Sequence, residues 1–216
     1  MQIMSSVIKS LCLFLAMGLC VDMAHAAPIA NEKMLNDYRS SFAGSAYHVK
    51  YIFVDPQGVS KDQTCCSSDV AKKIYMLDIS AKENSDFVYS PELNNLIREH
   101  FEITIDNESV VTTSEADYLV LTMSRPHEYS PKSMRCAAGM GEDRAYLISI
   151  ADNQIKVINR KFLDCGDSYR IVHGDGRVGY EVKDYSKGMD QPQSVLYLLK
   201  NGKLVRTENG PYKEER

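Results

Sequence analysis

Apolar and polar residues alternate with the two-residue period of β-strands along most of the chain after residue 100. Turn residues separate neighbouring runs, and the Asn201-Gly202 pair tolerates the positive φ angles of a hairpin turn. Asp152-Asn153 is a similar but weaker turn signal. Short strands joined by tight turns predict an antiparallel sheet. The predicted strands span 48–55, 74–79, 101–105, 109–113, 118–123, 145–150, 155–158, 169–173, 178–182, 195–199 and 204–207.

Two segments in the N-terminal half have helical spacing instead. Asn31 is placed to cap a helix over 31–43, and Ser90-Pro91 is typical of the start of a second helix of about ten residues. The apolar positions that define the helices are Met34, Leu35, Tyr38 and Phe42 in the first, and Leu93, Leu96, Ile97 and Phe101 in the second. The predicted fold class is therefore α+β, a predominantly antiparallel β-sheet or open barrel with two short helices in the N-terminal half.

Residues 1–26 have the organisation of a secretory signal peptide. Lys9 provides a positive charge, residues 11–21 form an uncharged apolar run, and Ala24-His25-Ala26 matches the small-x-small pattern that signal peptidase cleaves. The apolar run is too short to span a bilayer as a helix, which needs roughly 20 residues. We therefore expect residues 1–26 to be removed and residues 27–216 to form a single β-rich exported domain, periplasmic or secreted.

A lipoprotein signal is the alternative at this end of the chain. It would make Cys20 the acylated residue after cleavage directly before it. Leu19 is bulky at a position where a small residue is preferred, so the sequence favours cleavage after Ala26.

Length and charge limit the possible partners. Removal of 26 residues from 216 leaves 190, the size of one ordinary domain, with 24 basic and 28 acidic side chains and a net charge of −4. Nonspecific nucleic-acid binding is not expected, because it depends on clustered lysine and arginine and the chain has no long basic run. No segment after residue 26 is apolar over the length of a membrane span. We expect a protein partner, and the sequence leaves the oligomeric state open.

Four cysteines remain after removal of the signal peptide: Cys65, Cys66, Cys136 and Cys165. An even number in an exported chain is typical of disulfides, because an oxidising compartment converts accessible thiol pairs. A bond between the neighbours Cys65 and Cys66 would close a strained ring, so we expect each of them to pair with one of the two distant cysteines. Such bonds would close loops of about 70 to 100 residues and stabilise by on the order of 4 kcal/mol each.

Metal and cofactor chemistry is not indicated by the sequence. Zinc sites use spaced cysteine and histidine ligands, and adjacent cysteines cannot easily both reach one tetrahedral ion. The histidines do not occur at a metal-binding spacing such as His-x-x-x-His. A reactive thiolate at Cys136 is an alternative to a disulfide there, because the cationic Arg135 beside it would lower the pKa of a thiol. We expect no metal, no cofactor and a structural disulfide at Cys136.

The segment 125–135 is the strongest candidate for a binding surface. It is a loop with two prolines that follows a predicted strand, and it contains Arg125, His127, Tyr129 and Arg135. Loops held by a rigid sheet commonly carry function, and arginine and aromatic side chains are enriched at protein interfaces. The alternative is a solvated connection whose prolines only restrict its conformations. We predict that these four residues contact a partner.

The sequence favours binding over enzymatic turnover. It contains no nucleophile elbow, phosphate-binding glycine loop or zinc-protease helix, and His173-Gly174-Asp175-Gly176 is first of all a turn composition. We expect an exported protein-binding module, in its most specific form an inhibitor or immunity protein that blocks a toxin or hydrolase in the same compartment. The alternatives are a periplasmic hydrolase that uses His127 or His173, and an envelope assembly factor.

The signal-peptide pattern predicts the N-terminus of the mature protein. Intact-mass and N-terminal peptide measurements on protein from the exporting cell should find a chain that begins at Ala27. A retained, uncleaved N-terminus in the membrane fraction would contradict the prediction, and a lipid-modified Cys20 would favour the lipoprotein alternative.

Overall fold

The computed structural model describes residues 29–46, 48–55, 61–62, 64–65, 73–134, 136, 140–174, 177–200 and 203–211, so the predicted signal peptide lies outside the described residues. The elements before residue 100 are β1 (Ile29–Asn31), α1 (Glu32–Ser41), β2 (Tyr51–Val54), β3 (Lys61–Asp62), β4 (Thr64–Cys65), β5 (Tyr75–Asp78), β6 (Asn84–Asp86), β7 (Val88–Tyr89) and α2 (Pro91–Arg98). The later strands are β8 (Glu102–Thr112), β9 (Asp117–Arg125), β10 (Glu142–Ala151), β11 (Gln154–Leu163), β12 (Ser168–Gly174), β13 (Arg177–Asp184), β14 (Gln193–Lys200) and β15 (Lys203–Pro211).

The central layer is an antiparallel five-stranded sheet in the order β11-β10-β9-β8-β4. Adjacent residues of a strand face opposite sides, so Leu119 and Leu121 of β9 lie in one core while Tyr118 and Val120 lie in another. Both faces of this sheet are therefore buried. Burial on both faces explains why residues 118–121 form an uninterrupted apolar run instead of an alternating one.

A second sheet, in the order β3-β2-β5-β7, covers one face of the central sheet together with α2. Tyr51 and Phe53 of β2 pack toward the central sheet, whereas Ile52 and Val54 pack toward α1 and its buried Leu35. The small sheet β1-β6 adjoins α1. The second sheet is thus a layer between α1 and the central sheet.

Both helices begin where the sequence predicts a cap. The Asn31 side chain accepts a hydrogen bond from the Met34 N–H at 3.0 Å, and the Ser90 hydroxyl oxygen accepts one from the Leu93 N–H at 3.3 Å. These bonds satisfy N–H groups that have no partner inside the helix. The two predicted helices in the N-terminal half are confirmed.

A third sheet, in the order β12-β13-β14-β15, covers the opposite face of the central sheet. Its core is aromatic: the Phe162 ring of β11 lies between 5.3 and 5.7 Å from the ring centroids of Tyr169, Tyr180 and Tyr197. The chain contains no tryptophan, so tyrosine and phenylalanine supply the large rings of this core.

A bulge in β8 connects the central sheet to both the second sheet and the third sheet. Asp106 pairs with Val120 and Val111 pairs with Tyr118, so five steps along β8 match only two steps along β9. Within the bulge, the Asn107 side chain accepts hydrogen bonds from the backbone N–H groups of Lys50 and Tyr51 at 2.9 and 2.8 Å. It also donates one to the Tyr51 carbonyl at 2.9 Å. One amide side chain therefore fixes the start of β2 to the central sheet.

Ser109, two residues further along the bulge, faces the third sheet. Its hydroxyl oxygen accepts a hydrogen bond from the Val120 N–H at 2.7 Å, and its carbonyl accepts one from the Tyr180 hydroxyl at 2.9 Å. The hydroxyl of Tyr169 in β12 donates to the carboxylate of Asp106. The hydroxyl groups of two tyrosines of the third sheet therefore donate hydrogen bonds to the same bulge.

The fold class predicted from the sequence is confirmed, with differences in detail. The sheets are open and layered, and the described strands form no closed barrel. The two predicted strands over 101–105 and 109–113 are one strand, β8, interrupted by the bulge. Between the predicted strands 48–55 and 74–79, the structure adds the short strands β3 and β4, which are not among the predicted strands. The turn at Asp152-Asn153 is confirmed by φ angles of +48° and +58°, whereas Asn201-Gly202 lies outside the described residues, between the paired strands β14 and β15.

Within the described part of the chain, neither helix has the length or the apolar character that a membrane crossing requires.

The bulge bonds generate a prediction about stability. Asn107→Ala leaves two N–H groups and one carbonyl at a buried position without their partner, and an unsatisfied buried group costs about 1–3 kcal/mol. We expect the free energy of unfolding to fall by about 3 kcal/mol in chemical denaturation. Asn95→Ala, at an exposed position on α2, is the matched control and should change it by less than about 0.5 kcal/mol. Equal effects of the two substitutions would contradict the assigned role of Asn107.

Candidate functional site

The predicted binding loop is the connection between β9 and β10. It contains two short 3₁₀ helices, His127–Tyr129 and Lys132–Met134. His127 and Tyr129 are both exposed, and the Tyr129 ring stacks on the His100 ring with a centroid distance of 3.9 Å. Arg135 lies outside the described residues. The structure thus places two of the four predicted contact residues together on an accessible surface.

His100 is positioned for this stacking by the end of α2. The His100 N–H donates to the Ile97 carbonyl and the Phe101 N–H donates to the Leu96 carbonyl, both at 3.0 Å, which is the Schellman pattern. His100 occupies the left-handed position of that motif, with φ of +67°. Residues other than glycine rarely adopt this backbone conformation. The Schellman hydrogen bonds and the stacking of Tyr129 together hold His100 in this strained conformation beneath the loop.

Arg125 has a different environment from the other predicted contact residues. Its Nη2 lies 2.6 Å from Glu142 Oε2, its guanidinium lies 4.5 Å from the Phe101 ring centroid, and its side chain is only 10% exposed. Arg144 lies against the same ring at 4.4 Å and 3.5 Å from the other oxygen of Glu142. Arg125 therefore anchors the base of the loop from a nearly buried position.

A disulfide joins Cys136 to Cys165, with a Cα–Cα distance of 5.1 Å. The predicted pairing of Cys65 and Cys66 with these distant cysteines is therefore wrong. Antiparallel pairing of β10 with β11 sets Ala145 opposite Leu163, which brings the segments before β10 and after β11 to the same end of the sheet. Cys66 and the Cys65 side chain lie outside the described residues.

The disulfide also closes a shorter loop than the sequence suggested. The two cysteines are 29 residues apart, which corresponds to on the order of 3 to 4 kcal/mol in the chain-entropy model. Its structural effect is local: it ties the β9–β10 connection to the β11–β12 connection.

A third connection joins the other two at this end of the molecule. The Asp167 carboxylate accepts hydrogen bonds from the Tyr185 N–H and the Asp164 N–H, both at 3.0 Å, which ties the β11–β12 connection to the β13–β14 connection. We call the described residues of these three connections the loop end: 126–134, 136, 140–141, 164–167 and 185–192.

Large apolar side chains are concentrated at the loop end. The described residues include seven exposed large hydrophobic side chains, and four of them lie in these connections. Their exposed fractions are 48% for Tyr129, 46% for Met134, 53% for Met140 and 74% for Met189. Such a concentration marks the loop end as the candidate contact surface.

A cleft of about 620 Å³ opens between the connections and the adjoining strands. It is bordered by the disulfide, by Met134 and Tyr185, and by charged side chains of both signs. Two further cavities, of about 300 and 420 Å³, share Asp164 and Asp167 with it. The three cavities thus adjoin the same two aspartates, and the volume of the cleft lies within the range of ordinary ligand pockets.

Asp164, Asp167 and Asp184 are among the residues that line the cleft. Burial raises the pKa of the Asp167 carboxyl, the hydrogen bonds from Tyr185 and Asp164 lower it, and the nearby charges of Asp184 and Asp164 raise it again, so that the net pKa is above its usual range. The charges of Asp184 and Asp164 therefore lie close enough to raise the cost of ionising the Asp167 carboxyl.

The described part of the chain contains no group of three or more histidine, cysteine, aspartate or glutamate side chains arranged to hold a metal ion. The cleft residues that the structure describes also include no histidine. His173 lies five residues beyond Ser168 along β12, about 17 Å away at the rise of a strand. Asp175, its proposed neighbour, lies outside the described residues.

Sequence reasoning missed most of the loop end. Asp164, Asp167 and Asp184 are spread over 20 residues, and Met134 and Met189 are further apart, so no local pattern relates them. Pairing of the two cysteines would have related two of the connections, but four cysteines allow three pairings.

Comparison with known proteins identifies no matching family model, no similar curated protein and no similar solved structure.

The disulfide assignment predicts a specific peptide map. Digestion of the unreduced protein with trypsin, after alkylation of free thiols, should release residues 136–144 linked to residues 162–170. The peptide 62–72, which carries Cys65 and Cys66, should be linked to neither. A cross-linked peptide that joins 62–72 to either of the other two would contradict the assignment.

Proposed function

We propose that the protein is an exported binding module that binds a protein partner through its loop end. In its most specific form it is a periplasmic inhibitor or immunity protein that blocks a toxin or hydrolase in the same compartment. The observation that carries the proposal is the concentration of exposed tyrosine and methionine side chains on three connections tied together by a disulfide and by Asp167.

The residue types at the loop end suit protein contact. Aromatic and methionine side chains are enriched at the centres of protein interfaces, and flexible methionines adapt to irregular partner surfaces. Tyr129 adds a hydroxyl to its apolar ring, so it is suited to both apolar burial and hydrogen bonding. The predicted contacts of His127 and Arg135 belong to the same connection, and Arg125 supports its base through Glu142 and Phe101.

Preorganisation is a second support for binding. Loops that are ordered before association lose less entropy on binding than flexible loops do. The Cys136–Cys165 bond, the Asp167 hydrogen bonds and the stacking of Tyr129 on His100 each restrict one of the connections. The central sheet behind them is packed on both faces, which provides a rigid support.

A hydrolase that uses His127 or His173 is the alternative function. General acid–base catalysis requires a titrating group within hydrogen-bond reach of a substrate held in a pocket. His127 lies on an exposed 3₁₀ helix and His173 lies at the far end of β12, so these positions favour binding over turnover.

Truncation of the exposed side chains tests the proposal. The mature protein, immobilised, is used to capture partners from the envelope fraction of the exporting cell, and the affinity of each identified partner is then measured by calorimetry. Tyr129→Ala combined with Met134→Ala should weaken binding at least about tenfold, because buried anchor side chains each contribute more than about 1 kcal/mol. The midpoint of thermal unfolding should fall only slightly, because the variant loses the exposed stacking of Tyr129 on His100 but keeps the backbone hydrogen bonds that hold His100 at the end of α2.

Ile29→Ala is the matched control, because Ile29 is an exposed hydrophobic residue on β1, outside the loop end. It should leave the affinity unchanged. Normal binding by the double variant would refute the proposed surface. Hydrolysis of an envelope substrate by the purified protein, abolished by His127→Ala or His173→Ala, would replace the proposal with the hydrolase alternative.

A further inference from the structure

The exposed methionines of the protein lie at the loop end. The chain contains ten methionines, and four of them fall within residues 1–26, so six remain after the predicted signal peptide. Of these six, Met134, Met140 and Met189 are 46%, 53% and 74% exposed. Met134 and Met140 belong to the β9–β10 connection, and Met189 belongs to the β13–β14 connection. Half of the remaining methionines are therefore accessible to solvent on the surface assigned to the partner.

The other three methionines are packed against the cores. Met76 and Met123 lie between the second sheet and the central sheet, where they are 1% and 3% exposed. Met34 is partly buried against the core cluster that contains Leu35. A solute reaches a side chain in a close-packed core only when the structure opens. The fold thus divides the methionines into an accessible set and a protected set.

The thioether of an accessible methionine is oxidised by peroxides. The sulfur loses two electrons, the O–O bond of hydrogen peroxide breaks, one oxygen forms the S=O bond of a sulfoxide, and the other leaves as water with both hydrogens. Cysteine thiolates usually compete for the oxidant, but Cys136 and Cys165 are joined in a disulfide. Among the described residues of the loop end, the methionines are therefore the sulfur groups open to this reaction.

Oxidation changes the chemical character of the loop end. The methionine side chain is flexible and apolar, whereas its sulfoxide is polar and accepts hydrogen bonds. Burial of a sulfoxide against a partner surface without a matching donor costs free energy. Three of the four exposed large hydrophobic side chains of the loop end are methionines, so the reaction acts on most of this apolar contact surface.

We propose that Met134, Met140 and Met189 are sites of reversible oxidation, and that their conversion to sulfoxides by a peroxide weakens binding of the protein partner. Methionine sulfoxide reductases reverse the change: the sulfoxide oxygen leaves as water, and a dithiol that supplies the two electrons becomes a disulfide. This inference rests on the proposed function, because it assigns a regulation to the surface through which that function binds.

Site-resolved oxidation tests the accessible set. The folded mature protein is treated with hydrogen peroxide, samples are quenched at intervals, and the sulfoxide fraction of each methionine is measured by peptide mass spectrometry. Met134, Met140 and Met189 should be oxidised at least about tenfold faster than Met76 and Met123, because reactivity follows exposure. The same treatment in denaturant is the control, and there the rates should converge. Equal rates in the folded protein would overturn the proposal.

Affinity measurements test the effect on binding, with the partner captured on the unmodified protein. The peroxide-treated protein should bind it at least about tenfold more weakly, because polar sulfoxides replace apolar side chains in the contact. Incubation with both sulfoxide reductases and a dithiol should restore the affinity. Unoxidised protein carried through the same reduction controls for any effect on the disulfide. An affinity that peroxide leaves unchanged would overturn the proposal.

Leucine substitutions assign the effect to the three methionines. In the triple variant Met134→Leu, Met140→Leu and Met189→Leu, peroxide should change the variant's own affinity by less than about twofold, because leucine is not oxidised. Met34→Leu is the matched control, since it removes a methionine outside the loop end, and it should remain as sensitive to peroxide as the unsubstituted protein. Equal sensitivity of the two variants would refute the assignment.

These measurements separate this inference from the proposed function. If a partner binds through Tyr129 and Met134 but its affinity is unchanged after the three methionines are oxidised, the proposed regulation is wrong and the proposed function stands. If no protein partner depends on Tyr129 and Met134, the proposed function fails together with its regulation, whereas the peptide measurements still decide whether the three methionines are the oxidation sites.

Discussion

The bulge at residues 107–110 of β8 is the constraint on which the layered structure depends. Apolar packing holds the three stacked sheets together, but the hydrophobic effect is not directional and does not by itself fix how the sheets are positioned. The Asn107 side chain fixes the second sheet through three hydrogen bonds to Lys50 and Tyr51, while the third sheet reaches the same bulge through Tyr169 and Tyr180. Hydrogen bonds are directional, so this single irregularity of one strand specifies how the apolar faces of all three sheets meet.

A second polar group lies at the opposite end of the central strands, beneath the loop end. Arg125 and Arg144 lie against the buried ring of Phe101 and share the carboxylate of Glu142. Phe101 directly follows the strained His100 at the end of α2. Charged groups this close to the core are costly unless they are paired, and here two cations share one carboxylate. The arrangement joins the end of α2 to the ends of β9 and β10, and it thereby supports the connection that carries Tyr129. The same geometry gives these residues a structural role next to the exposed residues to which the proposed function assigns contact with a partner.

In the proposed function, one set of residues forms the rigid scaffold and another set forms the contact surface. The scaffold places the connections β9–β10, β11–β12 and β13–β14 at one end, and the disulfide and Asp167 hold them together there. In the proposed function, the exposed apolar side chains of these connections supply the area for contact with the partner.

The local sequence pattern correctly predicted the α+β class, both helices with their caps at Asn31 and Ser90, and the hairpin turn at Asp152-Asn153. These features follow from spacing and from side chains that bond to their own backbone within a few residues. The sequence pattern predicted two separate strands where β8 is one bulged strand, because the extra residues of a bulge are recognised only by comparison with the paired strand. The predicted cysteine pairing was also wrong. Three features depend on contacts between distant parts of the folded chain: the Cys136–Cys165 bond, the nearly buried ion pair of Arg125 with Glu142, and the cleft. The cleft is bordered by Asp164, Asp167, Asp184, Met134 and Arg144. Those contacts depend on strand register and on sheet stacking, which are set by interactions between residues distant along the chain. A local sequence pattern therefore does not predict them.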